Sequence, residues 1–183
     1  MRKLFLLLIT LASFSANATL LSLSLDQSQY QQGETVNVQL VASDLSFTLG
    51  GFAAELSFDP ATLSLTDVVF GNGFDDGFGS FSFADDATPG AVFVEDYADL
   101  FADEAIIAAN QGVSFVLASF SFTAVALGAH SIDLLNGAEL ISFDNQLLEV
   151  LDGLSVAFDV TAVPEPGILA LILTGLLVLR RRS

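Results

Sequence analysis

FAAELSFDPATL, residues 52–63, decides how this chain is read. Phe52, Ala54, Leu56 and Phe58 alternate with Ala53, Glu55 and Ser57, the period of two that puts one face of a strand on a core and the other in water. Asp59-Pro60 stops the strand, because proline removes a backbone donor and presets the dihedral that a turn needs. Leu63 then opens a second apolar run that lasts to Phe70.

The same period extends in both directions. Val36, Val38 and Leu40 alternate with Asn37 and Gln39, and Leu154, Val156, Phe158 and Val160 alternate with Ser155, Ala157 and Asp159. Further strand segments are Leu20 to Leu25, Phe78 to Phe83, Ala91 to Glu95, Ser114 to Ala126, His130 to Leu134 and Glu139 to Phe143. Their separators are turn chemistry: Gln32-Gly33, Pro89-Gly90, Leu127-Gly128 and Asn136-Gly137. Ser114 to Ala126 changes phase, with Phe115 and Leu117 on one parity and Phe120, Phe122 and Ala124 on the other. That change predicts a bulge near Ala118-Ser119 that bends the strand or moves it between sheets. Only Leu100 to Asn110 has helical spacing, through Phe101, Ala105 and Ala108, and reads as a short helix or an ordered loop. The expected fold is all-β, a jelly-roll β-sandwich of about nine strands.

Tyr30 to Leu40 (YQQGETVNVQL), Phe52 to Leu63 and Gln111 to Leu134 (QGVSFVLASFSFTAVALGAHSIDL) resemble, in order, landmarks of cohesin domains. The resemblance implies a nine-stranded jelly-roll sandwich, related in fold to carbohydrate-binding modules. Cohesins of cellulosomes bind dockerins through one sheet face. The matching residues are structural (Gly33, Asp59-Pro60, Gly128), so the resemblance identifies no binding face and transfers no binding residue.

Both termini read as targeting segments. Arg2 and Lys3, the apolar run Leu4 to Ala12 and the small-x-small site Ala16-Asn17-Ala18 form a signal peptide, residues 1–18, cleaved after Ala18. Residues 19–162 form the exported domain. Residues 163–183 hold Pro164-Glu165-Pro166, the uncharged run Ile168 to Leu179 and the terminal Arg180, Arg181 and Arg182. The prolines set a stiff boundary, and the arginines supply the cytoplasmic stop of a single transmembrane helix. At about 1.5 Å per residue the run reaches roughly 20 Å, so crossing a core of about 30 Å needs thinning of the bilayer and snorkelling arginines. The tripeptide, the short span with Gly175-Leu176 and the basic terminus resemble the PEP-CTERM sorting tail of Gram-negative bacteria. That resemblance implies recognition by an exosortase, a membrane transpeptidase-like enzyme, in species that make extracellular polysaccharide. The expected course is export, a membrane-anchored precursor with its domain in the periplasm, then the cell surface or matrix. Gly167 departs from the family, which often has a small hydroxyl residue there.

Charge narrows the function. The chain carries 22 Asp and Glu against five Lys and Arg. All five bases, Arg2, Lys3 and Arg180 to Arg182, belong to the targeting segments, so none falls between Thr19 and Val163. Nucleic acid is excluded as a partner, since affinity for phosphate backbones comes from cations. Internal salt bridges are excluded as well, and carboxylate repulsion works against folding unless salt or divalent cations screen it. There are no cysteines, hence no disulfide or thiol chemistry.

Asp75-Asp76, inside Gly71-Asn72-Gly73-Phe74-Asp75-Asp76-Gly77, is the candidate calcium loop, although its spacing matches no EF-hand or nonapeptide repeat and fits a solvated turn. Asp85-Asp86 and the series Glu95, Asp96, Asp99, Asp103 and Glu104 raise the same question without defining a site. His130 shares parity with Ile132 and Leu134 and reads as a packing residue at a strand edge. A glycosidase needs two supported carboxylates across a cleft, and this domain offers a single histidine and no lysine or arginine to position a substrate. Tryptophan is absent, only Tyr30 and Tyr97 pair a ring with a polar tip, and the phenylalanines fall mostly on core parity, which argues against crystalline polysaccharide. The expected function is a surface-sorted, non-catalytic module that binds protein or carbohydrate. The alternative is a polysaccharide-acting enzyme or a structural matrix protein with weak calcium binding.

Overall fold

The computed structural model describes residues 20–148 and 153–163. Ten strands and one helix are described: β1 Leu20–Leu25, β2 Gln29–Gln31, β3 Thr35–Ser43, β4 Leu49–Phe58, β5 Leu63–Phe70, β6 Ser80–Asp85, β7 Ala91–Ala98, α1 Glu104–Gln111, β8 Ser114–Ala124, β9 Gly128–Ser142 and β10 Ser155–Thr161. They form two sheets, β1-β3-β8-β5 and β2-β10-β9-β4-β7-β6, in which every pairing is antiparallel except β2 with β10. The alternating residues pack as their parity predicts: Val36, Val38, Leu40, Phe52, Ala54, Leu56, Phe120 and Phe122 are all sealed between the sheets.

The chain passes from the first sheet to the second between β1 and β2, and a small polar cluster fixes that corner. The Tyr30 hydroxyl donates to Asp26 and accepts from the Gln27 N–H, while Asn37 donates to Asp26 at 3.0 Å. Burial would raise the Asp26 carboxyl, but these hydrogen bonds outweigh it and hold the group below its ordinary value. Burial, and then the bond to Asp26, pushes the Tyr30 phenol well above its ordinary value. The Tyr30 ring itself is buried edge-on against Phe158.

Two expectations are corrected, one bulge falls a residue from its expected place, and one strand was unforeseen. Asn136-Gly137 does not separate two strands; β9 runs through it, and the pair is looped out as a bulge between Leu135, opposite Glu55, and Ala138, opposite Ala54. A positive φ of 74° at Gly137 absorbs the bend. The bulge in β8 falls at Leu117, skipped between the Leu40–Ala118 and Val41–Val116 pairs, and the strand stays in one sheet. β2 was not anticipated. The helix buries Ile107 and Gln111, not the Phe101 stripe, and Phe101 lies before the helix and is exposed.

Asp103 caps α1, its carboxylate accepting from the Ala105 N–H at 2.9 Å. The buried Gln111 at the other end accepts from the Leu49 N–H and donates to the carbonyls of Leu49 and Gly73. One side chain thereby ties the helix to β4 and to the 71–79 loop. Leu20 pairs with Ser43 at this helix end of the sandwich, while Thr161 pairs with Gln31 at the opposite end, where the described chain leaves at Val163. The expected signal peptide with Ala16 and Ala18, and the expected sorting tail with Pro164, Glu165, Pro166, Arg180, Arg181 and Arg182, lie outside the described residues. Among the described residues no helix is long and apolar enough to cross a membrane.

Candidate functional site

The two sheets turn very different faces outward. On the four-stranded sheet the outward rows are Ser24, Gln39, Ser119 and Val69, then Asn37, Ser121 and Asp67, then Thr35, Thr123 and Ser64. Its middle row is tied together by hydrogen bonds. Ser121 donates to Asn37 at 3.1 Å, Asn37 to Asp26, and Thr66 to the Ser121 carbonyl at 2.9 Å. A depression of about 370 Å³ there is lined by Ser24, Asp26, Asn37, Gln39 and Ser119, of which Asn37 and Asp26 bond to each other.

On the six-stranded sheet the register lays down three rows across β9, β4, β7 and β6. They are Ile141, Gly51, Tyr97 and Phe81; Glu139, Ala53, Glu95 and Phe83; and Leu135, Glu55, Phe93 and Asp85. Small residues occupy the β4 floor, so the flanking side chains enclose a shallow depression of about 290 Å³ lined by Ala53, Glu55, Phe93, Glu95, Tyr97, Leu135 and Glu139. The Tyr97 ring lies directly over Gly51, where any Cβ would collide with it. Glycine at 51 is thus what lets the aromatic lie flat across the sheet. Burial, then the charges of Glu95 and Glu139, raises the Tyr97 phenol above its ordinary value.

At the margin of this face, Phe81 is 61% and Phe83 52% exposed. Beyond it, Phe78, Leu100 and Phe101 project from the loops at the helix end with about nine-tenths of their surface in solvent. Those loops are joined to each other: Asn110 donates to the Asp75 carbonyl at 2.7 Å, and the Asp103 N–H to Asp76 at 3.2 Å. Parity had placed phenylalanine mostly inside, and these four are outside. Exposed aromatics on a fixed scaffold, interleaved with carboxylates that have no internal cation to answer them, form a surface suited to a partner.

The other sequence candidates fall as follows. Asp75 accepts from the Gly77 and Gly79 N–H groups at 2.7 and 2.8 Å, and Asp76 from the Phe78 N–H at 3.2 Å, so both carboxylates order their own loop. Asp85 does the same for Ala87. His130 sits on β9 with Nε2 3.0 Å from the Ala126 carbonyl and its ring 5.8 Å from Phe158, a packing position as parity indicated. Among the described residues, no three His, Cys, Asp or Glu converge on one point. Asp96, named only as one acid in a series, points into the core and is fully buried.

Neither a family model nor a curated protein matches the chain. Solved structures do. It is similar to a cohesin module from a family 33 glycoside hydrolase of Clostridium perfringens ATCC13124, with 13% identity and a TM-score of 0.61 over 80% of this chain and 100% of that one. It is also similar to a type II cohesin domain from the cellulosome of Acetivibrio cellulolyticus, with 15% identity and a TM-score of 0.62 over 80% and 92%. The sixth cohesin of that organism's scaffoldin B, solved in complex with a Cel5 dockerin, matches with 14% identity and a TM-score of 0.58 over 78% and 99%. At these identities the likeness establishes the fold: this is a cohesin-like sandwich.

Proposed function

We propose that the chain is a non-catalytic binding module that is exported, sorted to the cell surface by its tail, and engages a protein partner through the outer face of the six-stranded sheet. The observation that carries this reading is the contrast between the two faces: the outward rows of one hold small polar side chains and no aromatic ring, while the other lays Phe93, Tyr97, Phe81 and Phe83 among Glu55, Glu95 and Glu139. With no lysine or arginine between residues 19 and 163, the charges that complement those glutamates come from outside. A partner presenting Lys or Arg around an apolar centre fits. The scaffoldin B relative held by a dockerin supports a protein partner for the fold, and the Clostridium relative supports a module separate from catalysis.

The tail supports the location. Residues 163–183 read as a PEP-CTERM signal for an exosortase-type enzyme, with a membrane helix stopped by Arg180 to Arg182. The described chain leaves the sandwich at the end opposite α1, so a membrane tail there leaves the proposed face turned sideways and open. Association with extracellular polysaccharide follows from the same tail and not from the face.

The test is a comparison of charge reversals. The purified segment 19–162 is used to capture partners from the envelope of the producing cell, then remade as Glu95→Lys with Glu139→Lys, and separately as Asn37→Lys with Gln39→Lys. Loss of the captured partner with the first pair alone is the expected result. Equal loss with both pairs would remove the face from the account. Turnover of a glycan abolished by one carboxylate substitution would replace it with the enzyme alternative.

A further inference from the structure

A second, independent feature lies beneath the 71–79 loop. The inward row of β7 is Val92, Val94 and Asp96, so a carboxylate occupies a position where strand alternation demands an apolar side chain. Asp96 is fully buried, and neither of its oxygens has a hydrogen-bond partner. An orphaned carboxylate in a domain without lysine or arginine requires a physical explanation, because a buried charge is costly unless it is paired.

Its surroundings supply one. Asp96 stands opposite Phe52 on β4 and Ser82 on β6. The ring of Phe74 stacks on Phe52 at 5.9 Å, which brings the next residue, Asp75, over the same end of the core. One Asp75 oxygen is held at 2.8 Å by the N–H of Gly79, the residue before Ser80. Ser80 and the Tyr97 N–H lie near enough to favour the ionised form of Asp96, though not in bonding geometry, and Asp75 is the charge that opposes it. A fully buried carboxylate, a half-buried carboxylate and a half-buried hydroxyl are therefore grouped around the start of β6, by a loop containing Gly71, Gly73, Gly77 and Gly79.

We propose that Asp96 and Asp75 form a binding site for a hard divalent cation, calcium by its chemistry, in which Asp96 is the buried ligand. Every donor there is oxygen, and a glycine-rich loop can adapt to the irregular coordination that calcium accepts and magnesium resists. Ser80, loop carbonyls and water complete the shell. The cation answers both anomalies, giving the Asp96 oxygens a partner and converting a like-charge pair into a bridge. With two carboxylates, affinity falls in the range of extracellular modules, about 10⁻⁴ to 10⁻³ M. This differs from a loop site at Asp75-Asp76, since both Asp76 oxygens accept from backbone N–H groups, those of Phe78 and Asp103.

The experiment follows melting of the full chain in detergent by circular dichroism at pH 7.5, in millimolar calcium, magnesium or sodium at equal ionic strength. Calcium should raise the midpoint by about 4 °C more than either other salt, a shift of the size that about tenfold saturation gives a domain of this length. Asp96→Asn should abolish that increment and Asp75→Asn should reduce it, while Asp85→Asn with Asp86→Asn, at the far end of β6, should leave it intact. An equal calcium increment in Asp96→Asn overturns the proposal. So does a wild type without any calcium-specific increment, which would mean that Asp96 remains buried by keeping its own proton. Should Asp96→Asn fail to fold, calorimetric titration of the wild type with calcium decides: one calcium per chain supports the site, and none refutes it.

Discussion

Asp96→Asn, in buffer freed of divalent cations by a chelator, should change the pH dependence of stability in a calculable way. Burial pushes the Asp96 carboxyl up to about 6, from an ordinary 3.8 that also describes the unfolded chain. Between those values the folded protein binds a proton that the unfolded protein has released, so stability falls as pH rises through the window from about 4 to 6 and is level above it. A shift of about two units corresponds to about 3 kcal/mol, reduced to roughly 2 kcal/mol once water reaching the half-buried Ser80 side is allowed for. Asparagine keeps the shape and removes the titration. Its own buried amide carries a cost that does not vary with pH, so the decisive quantity is the difference in slope and not the absolute stability. Urea unfolding of the segment 19–162 at half-unit steps from pH 4 to 8 measures it; every member of the core cluster lies within that segment. The wild type should lose roughly 2 kcal/mol more than the variant between pH 4 and 6.5. Parallel curves would show that Asp96 is not ionising in the folded core and would refute the reasoning.

Further outcomes follow from particular residues. Gly71→Ala sets a methyl group against the Val116 carbonyl, a backbone atom that cannot step aside, and should cost about 3 kcal/mol by chemical denaturation. Gly77→Ala meets open space and should cost only the strain of its positive φ, about 1 kcal/mol. Gln111→Leu leaves the Leu49 amide and carbonyl and the Gly73 carbonyl without their buried partner, and should cost roughly 3 kcal/mol while exposing the 71–79 loop to faster hydrogen exchange. Replacing Pro164-Glu165-Pro166 with three alanines should block processing of the tail as followed by fractionation and mass, whereas serines at Arg180 to Arg182 should disturb orientation instead.

Most of the sandwich was legible because its strands are half-buried, so Val36 to Leu40 and Phe52 to Phe58 announce themselves by period. Where local rules allow two outcomes, tertiary packing chose. Asn136-Gly137 suits a turn or a bulge equally well, and continued pairing of β9 with β4 selected the bulge. β2 has three residues, too few for a period; it exists because Tyr30 closes the end of the core beside Phe158. The α1 stripe misled because the buried contact is made by Ile107 and by Gln111, an amide that no hydrophobic count would select.

The character of the outer face of the six-stranded sheet was hidden for a related reason. Parity divides Phe93, Glu95 and Tyr97 from Val92, Val94 and Asp96 but does not say which set faces outward, and here the outward set is the more aromatic one. Reading the strand as ending at Glu95 also left Asp96 off it, so its inward position became visible only when β7 extended to Ala98.

The central claim is that partners meet the outer face of the six-stranded sheet. A photoreactive benzophenone side chain placed at Phe83, on that face, and separately at Ser121, on the opposite one, tests it in the producing cell. The account predicts a discrete protein adduct from position 83, lost with Glu95→Lys and Glu139→Lys, and none from position 121; an adduct from position 121 alone, or equally from both, would contradict it.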